Sequence, residues 1–557
     1  MKTTFIKTIC LGTLLASMAS CDILDVDPLD TYTEEDVFSD VQLLKSYVHR
    51  NYNLPQNGWS HKALRFACDE SINNFNWENS YQVIEGTVTP DQLGNLDIWQ
   101  AYYENIKNCN IFFEHMEQVN KVDQPERNHL IGEVTFFRAL YYMELVNRFG
   151  GVPMITKSYQ LENADEMLKV KRASYEECVD SIVTWFDRAA TSYLPEKYES
   201  DADFGRVTKT AALAMKSRML LYAASPWWQV RSYEEAADAA EEVIKLCGGL
   251  NVNNLDPDYQ GMFLNPESSE IIFQRLYNQE FGHYFDAENS PNGWHGYSAT
   301  CVTQEMVDSY EKRGGVMPDT QWYDGKNSTS VNPWEDRDPR FYASIVCDGQ
   351  TFRDGEAEFY IYENGTSGGK DSEYGTDNWN YSETHYTIRK FMDEKLINLW
   401  SEKAYHPWIY CRLAEIYLNY AEAKYFCGDE VIARQYVNFI RERARNMAED
   451  PANMLPDITE SGDALLKKIQ QERKVELAFE EHRYFDVRRW KIAEDTQIGQ
   501  FHGIKITKKD DGSKTYTITN VGNPRNFIAP NHYLAPIPNH ERRKNAELTQ
   551  NPGYSDL

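Results

Sequence analysis

The sequence predicts a mostly α-helical protein, in which a helical scaffold carries an irregular, loop-rich region with short β-hairpins. Between residues 250 and 405 the composition changes to Gly, Asn, Ser, Asp, Tyr and Trp, and long apolar stripes are few. Loops on a rigid frame are where binding sites usually lie, so we expect the ligand site in this region. Elsewhere, apolar residues recur at helical spacing, and the clearest stripe lies on one helix face: Leu130, Val134, Phe137, Tyr141 and Leu145.

We predict the helices from such apolar stripes and from the glycine and proline residues that end a helix. Gly150, Gly151 and Pro153 end the helix of the clearest stripe, and Gly248 with Gly249 ends a later one. The predicted helices are Ile98–Val119, Glu126–Phe149, Tyr175–Leu194, Val207–Ala224, Tyr233–Cys247, Trp408–Phe426, Glu430–Asn446 and Ala464–Trp490.

A weak internal repeat links two of these helical blocks. Ala421 is followed twelve residues later by Ala433, and Ala224 is followed at the same offset by Ala236. Small residues on facing helices with an apolar continuation are typical of tetratricopeptide-type hairpins. Generic helical hairpins would give a similar pattern, so the repeat alone leaves both interpretations open.

The remaining segments predict strands and loops. The runs "EIIFQRLY" (270–277) and "EFYIYE" (358–363) resemble short strands, and residues 497–530 have the pattern of a β-hairpin insertion. The helical scaffold therefore covers about 35–249 and 405–492. The loop-rich binding region covers about 250–404 and 493–530.

The charge balance excludes one class of partner. The chain has 557 residues with 57 Lys and Arg against 86 Asp and Glu, a net charge of −29. Such an acidic surface repels phosphate backbones, which argues against nucleic acid as a partner.

The first twenty residues have the pattern of a signal peptide. Lys2 and Lys7 precede a short apolar run, Ile9–Ala19, which ends in small residues directly before Cys21. This arrangement resembles a bacterial lipoprotein signal, cleaved so that the Cys21 thiol carries lipid; an ordinary secretory signal with an incidental cysteine is the alternative. No later stretch is apolar enough to span a bilayer, so the lipid would be the only anchor.

The other cysteines are scattered and form no CxxC pair. A chain of this length does not need disulfide bonds, and several of the cysteines lie in helical patterns. We therefore expect mostly buried thiols and no zinc site. No cofactor is predicted; a structural calcium ion is possible, although nothing in the sequence indicates one.

Six sequence blocks together resemble the SusD/RagB family of outer-membrane nutrient-binding lipoproteins. They keep the family's order along the chain: "EVTFFRALYYMELVNRFGGVPMIT" (133–156), "WEDRDPRFYASI" (334–345), "YCRLAEIYLNYAEAKY" (410–425), "YVNFIRERAR" (436–445), "IQQERKVELAFEEHRYFDVRRWK" (469–491) and "YLAPIPNHERRKNAELTQNPGY" (533–554).

The resemblance implies both a fold and a role. The fold is one mostly helical domain over 21–557 with tetratricopeptide-like hairpins and an irregular ligand-binding region. The role is that of a cell-surface lipoprotein, anchored in the outer membrane by lipid on Cys21. It would capture oligosaccharide or polysaccharide and deliver it to a SusC-like TonB-dependent transporter. Some relatives capture peptides instead, and a transporter subunit that binds no ligand is a third possibility.

Most motif residues are predicted to be architectural. Arg483, Asp486 and Arg489 have a spacing that suits ion pairs along one helix. Arg138 lies beside the apolar stripe of its helix, and we expect it to be structural as well.

The candidate site rests on the chemistry of sugars and on the resemblance. Sugar rings present C–H groups that pack on aromatic faces, and their hydroxyls need polar partners. In starch-binding relatives the aromatics come from a region after an acidic pair and from an Asn-Gly-Trp loop. In this sequence Trp77 and Asn79 follow the acidic pair Asp69-Glu70, and Trp294 lies in "NGWHGY" (292–297) with Tyr284 shortly before it. Arg65 lies just upstream of the acidic pair, where it could reach sugar hydroxyls.

Two alternatives accompany this site. Each aromatic could instead fold under its own loop to build a satellite core. Other aromatic residues of the irregular region, including Trp379 and Tyr381, could extend the platform.

Catalysis is not predicted. Residues 365–369 fit the pattern GxSxG, but a nucleophile elbow needs a helix after the serine, and "KDSEYGTDNWN" predicts a loop. HExxH, P-loop and GxGxxG motifs do not occur in a suitable context. The sequence therefore favours a binding protein over an enzyme.

Overall fold

The structure is a computed structural model that describes residues 32–53, 55–159, 161–249, 251–318 and 328–555. The predicted signal peptide (1–20) and the predicted lipid-bearing Cys21 lie outside the described residues, so both stay predictions.

The fold is mostly helical, as predicted. Several helices begin at the side-chain caps that their sequences encode: Ser174 with Glu177, and Ser232 with Glu235, form capping boxes. The longer helices are α1 (Val41–His49), α2 (Trp99–Glu114), α3 (Glu126–Phe149), α4 (Tyr175–Ser192), α5 (Lys209–Ala224), α6 (Tyr233–Leu246), α7 (Leu413–Phe426), α8 (Glu430–Arg445), α9 (Asp463–Glu476) and α10 (Arg483–Arg489).

Shorter α-helices lie in the connections between these elements. They are Glu34–Ser39, Tyr81–Glu85, Met116–Val119, Ala164–Met167, Phe285–Asn289, Gln304–Val307, Pro339–Ser344, Ala493–Thr496 and Asn539–Lys544.

Three helix predictions are wrong in part. The segment Trp408–Arg412 is a strand, since it pairs antiparallel with Ile271–Arg275 and only then turns into α7. The predicted helix 464–490 is interrupted between α9 and α10, where Phe479 and Glu481 have positive φ angles of 64° and 69°. In these two places tertiary contacts override a continuous helical pattern. The predicted helix 98–119 is interrupted at His115, between α2 and the short helix Met116–Val119.

Helices α2 to α9 stack in a row, each against its neighbours in sequence. Contacts join α2 to α3, α3 to α4, α4 to α5, α5 to α6, and α7 to both α8 and α9. Helix α6 packs against α7, although the whole loop-rich region separates them along the chain. The repeat identified between α5–α6 and α7–α8 is therefore a pair of adjacent helical hairpins in one array.

The strands are short except in one hairpin. Strands β10 (Gly499–Lys508) and β11 (Lys514–Arg525) form the predicted hairpin, with β7 (Ile361–Tyr362) parallel to β10. The remaining strands are β1 (Ser71–Asn73), β2 (Ile271–Arg275), β3 (Thr300–Val302), β4 (Ile345–Val346), β5 (Thr351–Phe352), β6 (Gly355–Glu356), β8 (Thr387–Ile388) and β9 (Trp408–Arg412). A four-stranded sheet has the order β1-β3-β8-β4, and β2 pairs with β9.

Charged motif residues hold the scaffold together from inside. The Asp486 carboxylate accepts hydrogen bonds from Arg489 and from Arg473, at 2.8 Å each. Arg483 pairs instead with Asp69, which lies near the other end of the chain. The ion pair predicted along α10 is therefore confirmed for Asp486 and Arg489 and wrong for Arg483. Arg138 is buried, with its guanidinium over two aromatic rings, and is structural as expected.

The cysteines of the described chain are unpaired thiols. Six of the eight are buried, and Cys247 and Cys427 are half-buried. In the same described ranges no helix is long and apolar enough to cross a membrane.

Candidate functional site

Six aromatic side chains, carried by four stretches of the chain, meet at one face of the loop-rich region, and we call this group the aromatic surface. The ring centroids of Tyr297 and Trp400 lie 4.5 Å apart, and Tyr297 lies 5.4 Å from Trp379. The contacts continue from Trp400 to Tyr284 at 6.1 Å. The members of the aromatic surface are Phe75, Trp77, Tyr284, Tyr297, Trp379 and Trp400.

The opposite end of the aromatic surface is a stack of rings. Phe75 and Trp77 stack at 4.8 Å with an angle of 19°, and His61 lies 4.5 Å from Trp77. Phe75 also contacts Trp379 at 6.2 Å, and Trp77 contacts Tyr297 at the same distance. Each of the six rings therefore touches at least one other, in the offset or tilted geometries that aromatic pairs prefer.

Strand pairing explains why two distant loops meet here. In the antiparallel pair β1–β3, Asn73 lies opposite Thr300, so the end of β1 faces the start of β3. The loop that follows β1 carries Phe75 and Trp77, and the loop that precedes β3 carries Tyr297. The register of three residues thus places the two predicted regions side by side.

Two asparagine side chains, the half-buried Asn74 and the buried Asn380, attach the loop of Trp379 to the loops of Trp77 and Tyr297. The side chain of Asn74 donates to the carbonyl oxygens of Tyr297, at 3.3 Å, and Tyr381, at 2.9 Å. The side chain of Asn380, next to Trp379, donates to the carbonyl oxygen of Gly296. The two residues that follow Trp379 are therefore held against the other two loops.

The fourth loop carries Trp400 and is joined to the segment that carries Tyr284. The indole N–H of Trp400 donates to the carbonyl oxygen of His295 at 2.9 Å. His283 and Ala404 exchange backbone hydrogen bonds of 2.8 and 3.0 Å, which holds the two segments together. The Tyr284–Trp400 contact thus rests on backbone pairing.

The rings differ in how much surface they offer. Trp379 is 64% exposed, Trp400 44% and Tyr284 40%, whereas Phe75, Trp77 and Tyr297 are half-buried. Large apolar side chains are seldom left this exposed in a cluster unless the surface binds something. The three exposed rings are the best candidates for ligand contact. The half-buried Trp77 contacts Phe75 and Tyr297, which in turn contact Trp379.

Local backbone conformation at the aromatic surface is unusual. Glu78, Asn79, His295 and Asp377 all have positive φ angles, between 45° and 60°, although none is glycine. Such conformations cost of order 1–3 kcal/mol each and persist only when the surroundings impose them. Their concentration in the loops that carry Trp77, Tyr297 and Trp379 is a further sign of function.

Polar side chains surround the rings. Asn79, one of the predicted residues, is exposed in the turn of Trp77, and Asn76 and Asn378 are exposed beside it and beside Trp379. Amides can both donate to and accept from hydroxyls, which suits a sugar.

Two histidines bind carboxylates at the edge of the surface. His61 lies 3.1 Å from Glu288, and this hydrogen bond raises the pKa of His61 although partial burial opposes the shift. His295 Nδ1 lies 2.6 Å from Asp377 and links the loops of Tyr297 and Trp379. Both imidazoles therefore have an acidic partner and help to fix the loops.

Trp294 lies apart from the aromatic surface. Its indole N–H donates to Asp354 at 2.8 Å, its ring packs edge-on against Phe352, and the Lys370 ammonium lies 3.5 Å from its centroid. Trp294 is thus folded against the segment 352–370, the alternative stated for it in the sequence analysis. The structure does not bring its ring to the other predicted aromatics. Nothing in the structure tests the sequence prediction that Trp294 contacts a ligand, and the aromatic surface does not include it.

Arg65 lies in the interior, with 3% of its surface exposed. Its guanidinium donates to Thr300 at 3.1 Å and to the carbonyl oxygen of Gly58, and it lies over the ring of Phe66 at 4.4 Å. This placement leaves no donor at the surface for a sugar hydroxyl, so we do not include Arg65 in the site. Arg65 positions β3 below the aromatic surface.

The acidic pair upstream of Trp77 is structural too. Burial alone would raise the pKa of Asp69, but the charges of Arg483 and Lys474 outweigh it and hold the pKa well below its ordinary range. Glu70 accepts from the backbone N–H of Phe479, which links β1 to the interruption between α9 and α10.

The GxSxG match has no catalytic geometry. Ser367 lies in a loop, its hydroxyl contacts Asn364, and a further loop follows it. Within the described ranges, no group of three or more His, Cys, Asp or Glu side chains could hold a metal ion.

Sequence reasoning found part of this surface. It predicted Trp77, Asn79 and Tyr284, and it noted Trp379 as a possible extension. Tyr297 stands in the quoted stretch "NGWHGY" without being selected, and Phe75 and Trp400 were missed. The signal available for Trp400 was a lone tryptophan in "NLWSEKAYH" (398–406), between polar residues and without a helical stripe.

Comparisons with known proteins agree with this architecture. Residues 254–554 match the SusD family, and residues 22–221 match a family described as starch-binding, associating with the outer membrane. A SusD-like protein of Formosa agariphila, P2, is 24% identical over 552 residues, which are 97% of this chain and 98% of that protein.

Two solved structures from Bacteroides fragilis extend the comparison. One, a SusD-like protein, has a TM-score of 0.78 and 30% identity, and the match covers 95% of this chain and all of that one. The other, described as a SusD-like carbohydrate-binding protein, has a TM-score of 0.76 and 23% identity, with 92% and 100% covered.

Proposed function

Because the chain belongs to the SusD family, we propose that it captures oligosaccharide or polysaccharide on the aromatic surface, without catalysis, and delivers it to a SusC-like TonB-dependent transporter. In this proposal the protein lies at the cell surface and is attached to the outer membrane through lipid on Cys21. The family description that associates matching chains with the outer membrane supports this placement.

One observation carries the glycan assignment: the contiguous aromatic surface with three strongly exposed rings. A sugar ring can pack its C–H face on Trp379, Trp400 or Tyr284, while neighbouring amides satisfy its hydroxyls. Since rings from four loops contribute, the surface is wider than one side chain. That width suits a chain of linked sugars.

The geometry of the loops supports binding rather than turnover. The side-chain amides of Asn74 and Asn380 fix the loops of Trp379 and Tyr297, and a surface held in place loses little conformational entropy when ligand binds. The loop setting of Ser367 offers no nucleophile elbow.

The test is isothermal titration of the protein against a panel of plant, host and microbial polysaccharides and against peptide mixtures. Shallow aromatic surfaces bind sugars weakly, so we expect a dissociation constant between micromolar and millimolar, about 4 to 8 kcal/mol. The double variant Trp379→Ala/Trp400→Ala should abolish that binding. Phe204→Ala removes a ring that is 50% exposed on the helical scaffold, and it is the matched control.

Three results would contradict the proposal. Binding of peptides but not glycans would indicate a peptide-capturing protein of the same architecture. Glycan binding that survives in the double variant would place the site elsewhere. Intact assembly with the transporter but no ligand in either class would indicate a structural subunit.

A further inference from the structure

We infer that the glycan bound at the aromatic surface is neutral, and that polymers rich in uronate or sulfate are excluded. This inference rests on the proposed function and specifies the class of its substrate. It follows from the charged groups that lie around the six rings.

The loops that carry the rings contain almost no fixed positive charge. Residues 72–81, 276–299 and 371–386, which carry five of the six rings, include no lysine or arginine. The segment 396–406, which carries Trp400, includes Lys403 alone, with Lys395 just before it. A site built for an anionic sugar would need arginine or lysine at its rim to pair with carboxylate or sulfate.

Two of the basic side chains near the rings, within the part of the chain that the structure describes, lie against carboxylates. His61 pairs with Glu288 and His295 pairs with Asp377, at 3.1 and 2.6 Å. Lys403 is exposed and lies 5.8 Å from the ring centroid of Tyr284. Lys62, next to His61, donates to the carbonyl oxygen of Asp97.

Two arginines near these loops are withdrawn into the interior. Arg65 is buried below β3, as described above. The side chain of Arg353 is fully buried, where it donates to Asp286 at 3.0 Å and to Ser290. Neither guanidinium is presented to the solvent above the rings.

The exposed charge in the turn of Trp77 is acidic rather than basic. Glu78 is exposed there, whereas Asp377, two residues before Trp379, already pairs with His295 at 2.6 Å. A sulfate or carboxylate bound across the rings would be repelled by the Glu78 carboxylate. Exposed amides, such as Asn79 and Asn378, complete the rim and suit uncharged hydroxyls.

The net charge of the whole chain also disfavours an anionic ligand. A net charge of −29 slows the approach of a polyanion at low ionic strength, whereas a neutral polymer is unaffected. Discrimination therefore comes from repulsion of the wrong ligand as well as from attraction of the right one.

The experiment compares the dissociation constants of a neutral and an anionic form of each polysaccharide that binds. A neutral polymer that binds is compared with its sulfated or oxidised form, and an anionic one with its carboxyl-reduced or desulfated form, by titration. We expect the neutral member to bind at least about tenfold more tightly. We also expect its dissociation constant to change less than about twofold between low and physiological salt.

A charge variant tests the cause. Glu78→Lys should raise the affinity for the anionic member relative to the neutral member at least about threefold at low salt. Glu199→Lys makes the same charge change at an exposed loop position of the scaffold and should leave that ratio unaltered.

Either of two results would overturn the inference. An anionic polymer that binds as tightly as its neutral counterpart would show that the rim does not discriminate by charge, with the proposed glycan function intact. An unaltered ratio in Glu78→Lys would show that the acidic rim is not the cause. If no polysaccharide of either class binds, the proposed function fails first, and the inference falls with it.

Discussion

Replacement of Trp379 by alanine should weaken glycan binding while leaving the stability of the fold nearly unchanged. Its ring is 64% exposed and contacts Phe75 and Tyr297 only at 6.2 and 5.4 Å, so Trp379→Ala should cost the fold little. Loss of one aromatic face from a sugar site removes about 0.5–1.5 kcal/mol beyond the buried area, or about 1–2 kcal/mol in all. The dissociation constant should therefore rise about 5- to 30-fold.

The matched perturbation is Trp294→Ala, for which we expect the reverse. This ring packs on Phe352, lies under the ammonium of Lys370 and donates a hydrogen bond to Asp354. Removal of a half-buried tryptophan with one hydrogen bond should lower the free energy of unfolding by about 2–3 kcal/mol. Glycan affinity of the folded variant should stay within about twofold of wild type.

Denaturant titration and calorimetric titration of the same preparations provide both quantities. The reasoning would be refuted if Trp294→Ala lost glycan binding at unchanged stability while Trp379→Ala kept full affinity. That outcome would move the ligand to the loop of Trp294, as sequence reasoning alone suggested.

Three further predictions follow from the buried charges and the loops. Arg489→Met removes the ion-pair partner of the buried Glu422 carboxylate and should destabilise the fold by about 3–5 kcal/mol. Lys245→Met, which breaks the exposed ion pair with Glu241, should cost less than about 1 kcal/mol. The denaturation midpoints of the two variants measure this difference. Burial raises the pKa of Glu70 to about 8 from an ordinary 4.5, so the folded protein holds this proton at higher pH than the unfolded chain does. Stability should fall as pH rises between those values, and Glu70→Gln should flatten that slope in denaturation curves. Incubation with bound glycans should release no new reducing ends, and Ser367→Ala should change neither binding nor this result.

The helical scaffold was predictable because its physics is local. The stripe of Glu126–Phe149 and the glycine after it set the bounds of α3 without reference to the rest of the chain. The errors arose where a partner distant in sequence decides the structure. Trp408–Arg412 is a strand because β2 lies beside it, and no pattern within that segment states this.

The aromatic surface was predictable only in part, for the same reason. An aromatic residue in a loop can face solvent or fold under its own loop, and the local sequence is alike in both cases. Trp294 and Tyr297 stand three residues apart in one turn, yet only Tyr297 reaches the other rings. What separates them is the pairing of β1 with β3 and the nearby segment 352–370, neither of which can be inferred from "NGWHGY".

Arg65 illustrates a different limit. Its position just before the acidic pair suggested a donor at the rim, but burial of the guanidinium depends on the hydroxyl of Thr300 and the carbonyl of Gly58. The short distance in sequence between Arg65 and Trp77 does not indicate how deeply the Arg65 side chain is buried.

The most direct test is a crystal structure of the protein with an oligosaccharide identified by titration. The account predicts sugar rings packed on Trp379 and Trp400, with hydroxyls hydrogen-bonded to neighbouring amides and no charged substituent near Glu78. A sugar bound at another face, with these indoles still exposed to water, would contradict it.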